Sequence, residues 1–105
     1  MNMNVGHDLI ITIVNKAQSE IVVEASKEAG AEGGTIIYGR GTGIREQAKL
    51  FCITIEPEKE LILTLITKDL TDVVLESIVS KAGLNKPGKG IAFVLGIEKV
   101  VGINH

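Results

Sequence analysis

Two stretches of the chain are apolar in the manner of buried strands, Leu9-Ile10-Ile11-Thr12-Ile13-Val14 and Leu61-Ile62-Leu63-Thr64-Leu65-Ile66, and each carries a threonine in fourth place. The residues that follow them are also alike. Asn15-Lys16 precedes Ser19-Glu20-Ile21-Val22-Val23-Glu24, and Thr67-Lys68 precedes Thr71-Asp72-Val73-Val74-Leu75-Glu76. Thr12 and Thr64 stand 52 residues apart, as do Ser19 and Thr71. Ser19 and Thr71 suit the N-cap of a helix, with Glu20 and Asp72 placed where the helix dipole favours negative charge. Apolar residues then recur at helical spacing, as Ile21, Val22, Ala25 and Ala29 in the first helix and Val74, Leu75, Ile78, Val79 and Ala82 in the second. Both helices run out at Ala-Gly, Ala29-Gly30 and Ala82-Gly83, where glycine suits the left-handed C-terminal position.

A further strand is expected after each helix, at Thr35–Tyr38 and Ile91–Ile97. The order strand, helix, strand, taken twice, is the α+β, ferredoxin-like βαββαβ sandwich with an antiparallel sheet, and residues 1–105 are read as one such domain. Within the first and third strands, Leu9, Ile11 and Ile13 face one way and Ile10, Thr12 and Val14 the other, so both faces are largely apolar. Two helices cover one face of such a sheet. The face carrying Ile10, Val14, Ile62 and Ile66 is expected to be the open one, covered by another subunit.

Apolar residues make up 45% of the chain and aromatics 3%, so Ile, Val, Leu and Ala must build the core. A formal net charge of -2 supplies no basic field, and so few aromatics supply no stacking platform, which argues against nucleic acid as a partner. Cys52 is the single cysteine, too few for a disulfide framework or a thiolate zinc site. The first residues form no targeting segment, and no apolar run is long enough to cross a bilayer. The chain reads as cytoplasmic and not membrane-spanning.

Glycine clusters in three places: Gly30 to Gly34, Gly39-Arg40-Gly41-Thr42-Gly43, and Gly83-Leu84-Asn85-Lys86-Pro87-Gly88-Lys89-Gly90. Singly, each reads as a turn. Jointly, backbone amides freed by glycine, with Arg40, Lys86 and Lys89, suit a phosphorylated small molecule or nucleotide. The segment from Gly39 to Glu58 is far longer than a hairpin needs, and a loop of that length that orders on binding makes a switch. Leu50 to Ile55 alternates like a strand and is read as a ribbon extending the third strand. No catalytic constellation is found: His7 and His105 lie near the termini, and Glu56, Glu58 and Glu60 alternate as a charged strand edge or a hard-cation site. The chain is therefore not read as an enzyme.

Leu9 to Lys16, Ala29 to Thr35, the long mid-chain segment and Lys86-Pro87-Gly88-Lys89-Gly90-Ile91-Ala92-Phe93-Val94 together resemble the PII signal-transduction family over nearly the whole chain. The resemblance implies a homotrimer that binds an adenine nucleotide (ATP, ADP or AMP) in clefts between subunits. It implies control of a target protein, a membrane transporter or nitrogen-metabolism enzyme, through a T-loop at about 39–58, with a B-loop at about 83–90. By position, Gly33, Gly34 and Thr35 would border the adenine, Gly88, Lys89 and Gly90 would approach the phosphates, and Arg40 with Gly41 would match the T-loop base. The pattern departs from the family in places. Lys89 stands at an acidic position, Ile91 at a lysine, and Gly102 and Asn104 at two C-terminal arginines that clamp phosphates. No tyrosine lies in the T-loop, since Tyr38 belongs to the preceding strand, so the uridylylation switch of some members is expected to be absent. The alternative readings are a metal-responsive trimer like the related CutA proteins, or an interaction module that binds no nucleotide.

Overall fold

The computed structural model describes residues 6–41, 48–50, 53–55 and 57–102. Its elements are β1 (His7–Asn15), α1 (Ser19–Glu28), β2 (Thr35–Arg40), β3 (Ala48–Leu50), β4 (Ile53–Ile55), β5 (Glu58–Thr67), α2 (Thr71–Ala82) and β6 (Gly90–Ile97), with a 3₁₀ turn at Lys68–Leu70. The main sheet has the order β2-β5-β1-β6 and is antiparallel throughout. This is the ferredoxin-like plan, with β3 and β4 added as a separate two-stranded ribbon inside the long connection. The alternation at Leu50 to Ile55 therefore belongs to a local hairpin; Phe51 and Cys52 lie outside the described residues.

The two helices cover the opposite face of the sheet from the one expected. Ile10, Thr12, Val14, Ile62, Thr64 and Ile66 are buried beneath them, at 0–4% exposure, and pack with Val22, Ala25, Val74 and Ile78 into one core. Each such fully buried aliphatic side chain contributes roughly 1.5–3 kcal/mol. The open face is the odd-numbered one: the register sets Ile11 between Leu63 and Phe93, and Leu9 between Leu65 and Leu95. Leu65, Phe93 and Leu95 there are 38%, 40% and 47% exposed. Apolar residues on both faces told sequence reasoning that one face needs a partner, but alternation alone carries no sign for which face the helices take.

The internal repeat survives in three dimensions. Both helices end in the same hydrogen bond, Ala31 N–H to Ser26 O at 2.9 Å and Leu84 N–H to Val79 O at 3.0 Å, with Gly30 and Gly83 at positive φ between. Their starts differ from expectation. Ser19 and Thr71 are the first helical residues, Gln18 and Leu70 are the N-caps, and no N-cap side chain closes its own helix. At each start a carboxylate from the other half of the repeat is the partner instead, on a backbone amide at α1 and on a side-chain hydroxyl at α2. Glu60 of β5 accepts the Ser19 amide of α1 at 2.9 Å, and Asp8 of β1 accepts the Thr71 hydroxyl of α2 at 2.7 Å. The halves are thus interlocked, and the helices are further joined by Ser77 Oγ donating to Ala25 O at 2.8 Å and by the Lys81–Glu28 ion pair. Ile21 falls off the predicted stripe and is 39% exposed, while Ser26 joins the buried side with its hydroxyl on Val23 O. No helix among the described residues is long and apolar enough to cross a membrane.

Candidate functional site

The turn from α1 into β2 carries Gly33, Gly34 and Thr35, and with the end of β5 it forms a cleft of about 530 Å³. Its walls include Leu63, Leu65, Leu70 and His7 beside these three residues. Gly34 is there for space: a Cβ would stand 3.0 Å from Ile62 Cγ2 and 3.2 Å from Leu63 O, so this backbone lies directly on β5. The result is a cleft with leucine walls beside threonine, Glu32 and backbone polar groups, the mixture of apolar wall and few polar groups that small-molecule sites use. His7, which sequence reasoning placed with the solvated termini, lines it.

Arg40 lies at the far end of β2, opposite Glu58, in a second cleft of about 360 Å³ with Lys16, Tyr38, Gly39 and Lys59. Gly39 and Arg40 are strand residues, so the long segment opens at Gly41 and not at Gly39; its neck is closed by Gly41 N–H donating to Pro57 O at 3.2 Å. Lys16 pairs with Glu58 at 2.9 Å and, with a smaller contribution from Arg40, holds that carboxyl below its ordinary value. Burial would raise the Glu60 carboxyl, but hydrogen bonds from Ser19, Ala17 and Gln18 outweigh it and leave the pKa lowered. Those contacts fix the turn before α1, where Ala17 sits at φ 71°, an unusual conformation for a residue with a side chain. Glu58 and Glu60 are thus each engaged, the first by Lys16 and the second by the turn before α1, and Glu56 lies outside the described residues. No group of three or more His, Cys, Asp or Glu among the described residues could hold a metal ion.

Gly88, Lys89 and Gly90 lead into β6. Gly90 cannot be replaced freely, because φ is 138° and a Cβ would meet Ile13 O at 2.4 Å. Asn15 Nδ2 donates to Gly88 O at 3.1 Å, and Lys89 stands beside Asn15 and Gln18.

Within one chain these three segments do not converge. Arg40 and Gly88 to Gly90 lie at the same end of the sheet but on opposite edge strands, about 14 Å apart across three strand spacings. Gly34 and Thr35 lie toward the other end of β2, roughly 17 Å along it from Arg40. Sequence reasoning missed the roles of Asn15, Lys59 and Asp8, and read Glu60 only as part of a charged strand edge or a hard-cation site. The two carboxylates did leave a signal, since Asp8 and Glu60 immediately precede the repeated strands and stand 52 residues apart.

The family model described as nitrogen regulatory protein P-II matches residues 7–105. Among curated proteins, the chain is similar to nitrogen regulatory protein P-II 2 of Methanothermobacter thermautotrophicus, 31% identical over 100 residues, covering 90% of this chain and 86% of the relative.

Proposed function

Since this chain belongs to the nitrogen regulatory protein P-II family, we propose that it is a regulatory protein, not an enzyme, that binds an adenine nucleotide between the subunits of a homotrimer. One observation carries the reading: Leu63 and Leu65 belong at once to the wall of the 530 Å³ cleft and to the open apolar face. A subunit that covers the face lies against the cleft, and a second copy supplies what one chain keeps apart. Gly33, Gly34 and Thr35 border the base. The phosphates meet Gly88, Lys89 and Gly90, with Arg40 and Gly41 at the neck of the segment that follows β2. Lys89 and Arg40 supply cations there, while Ile91 and Gly102 supply none where the family resemblance implies cations, so the grip on a triphosphate is weaker than that resemblance implies. The protein acts in the cytoplasm on a partner, a transporter or nitrogen-metabolism enzyme, through the segment between Gly41 and Pro57.

Thermal melting with ATP, ADP, AMP, cyclic AMP, magnesium and copper added separately tests the reading, because a ligand that binds only the folded assembly raises the melting temperature. An upward shift with an adenine nucleotide, abolished in Gly34→Val, is expected. A shift with copper alone would replace it with a metal-responsive reading of the CutA kind.

A further inference from the structure

A polar bridge crosses the neck end of the sheet and has no part in holding a base. Lys59 is only 7% exposed, and its Nζ donates to Asn15 Oδ1 at 2.7 Å. The other end of the same amide, Nδ2, donates to Gly88 O at 3.1 Å. Donor chemistry fixes this orientation, because an ammonium can only donate and a carbonyl can only accept. Lys59 in turn supports the neck of the long segment. It pairs with Gly39 across the β2–β5 ladder, and a Cβ on Gly41 would come within 3.4 Å of its stem. Burial pulls the Lys59 ammonium below its ordinary pKa, so a hydrogen bond to it carries more weight than one in water.

We propose that Asn15 is a positioning residue that couples the neck of the 41–57 segment to the Gly83–Gly90 loop. A change at the neck that displaces Lys59 frees Asn15 and with it the Gly88 carbonyl; a ligand drawing Gly88 to a new place acts on Lys59 through the same amide. The inference deepens the function proposed above, since the loop it positions is the one assigned to phosphate there, but its central test needs no ligand.

The experiment is hydrogen exchange followed by mass spectrometry on the full chain and two variants. Asn15→Asp keeps an acceptor for Lys59 and loses the donor to Gly88. It should speed exchange across 84–91 by about three- to tenfold, the opening cost of one hydrogen bond, and leave 57–62 at the wild-type rate. Lys59→Met alters no residue of the glycine loop, yet should speed exchange in both segments while α2 stays unchanged. Wild-type rates across 84–91 in Lys59→Met would overturn the coupling, as would their persistence in Asn15→Asp. If Lys59→Met also loosens α2, the polar and milder Lys59→Gln takes its place with the same expectations. In parallel, Asn15→Asp should lower the affinity for ATP and spare that for adenosine; a wild-type chain that binds neither would sink the nucleotide reading while the exchange rates still decide the coupling.

Discussion

Thr12 and Thr64 occupy the fourth place of each repeated strand, and both hydroxyls are fully buried without a hydrogen-bond partner. An unpaired buried hydroxyl costs free energy that an isosteric methyl group does not. Thr12→Val and Thr64→Val should each raise stability by about 1 kcal/mol in urea unfolding, an unusual direction for a core substitution. The sequence displayed the two threonines plainly, but hydroxyl pairing depends on what the helices bring overhead, which no periodicity reports. The glycines divide the same way. Gly88 and Gly90 both hold positive φ, yet a Cβ meets nothing at Gly88 and a backbone oxygen at Gly90. Gly88→Ala should cost about 1 kcal/mol and Gly90→Ala at least about 2 kcal/mol, compared in the same urea series.

At the scale of elements, the strands and helices were legible because hydrophobic periodicity is local, and the duplicated register fixed their order. The helix starts were misread at Ser19 and Thr71 because the carboxylates that hold these two residues come from the opposite half of the repeat, a long-range contact that a capping rule cannot see. This reciprocal arrangement has a pH signature. Hydrogen bonds from Lys68 and Thr71 hold the Asp8 carboxyl below its ordinary 3.8, and against burial, which would raise Glu60, hydrogen bonds from Ser19, Ala17 and Gln18 hold it below 4.5. A carboxylate with a lowered folded pKa binds its proton more readily in the unfolded chain, so its contribution is complete above the unfolded pKa and fades as pH falls through the folded one. Stability should therefore hold at neutral pH and decline below about 4.5. Asp8→Asn with Glu60→Gln should be less stable than the wild-type chain at pH 7 and show a flatter decline in acid-dependent melting.

For the whole molecule, sequence reasoning reached one open apolar face but assigned it to the wrong side, since alternation along a strand separates two faces without saying which one helices will meet. With Ile11, Leu63 and Phe93 side by side on the open face, a charge there should prevent association while leaving the helix-covered core intact. Leu63→Arg is expected to sediment as a monomer and the wild-type chain as the proposed trimer, with the far-ultraviolet circular dichroism of the two alike. The sequence displayed three glycine-bearing segments as candidates for a site. That they stay apart within one chain was not, because it follows from the strand order β2-β5-β1-β6 placing two of them on opposite edges.

The measurement that bears most directly on the account is isothermal titration of the wild-type chain and Leu63→Arg with ATP, ADP and AMP. Saturable binding of an adenine nucleotide at one site per chain by the trimer, and its loss in the monomeric variant, is the expected result. Absence of binding by the intact trimer, or equal binding by the monomer, would contradict a nucleotide site built between subunits.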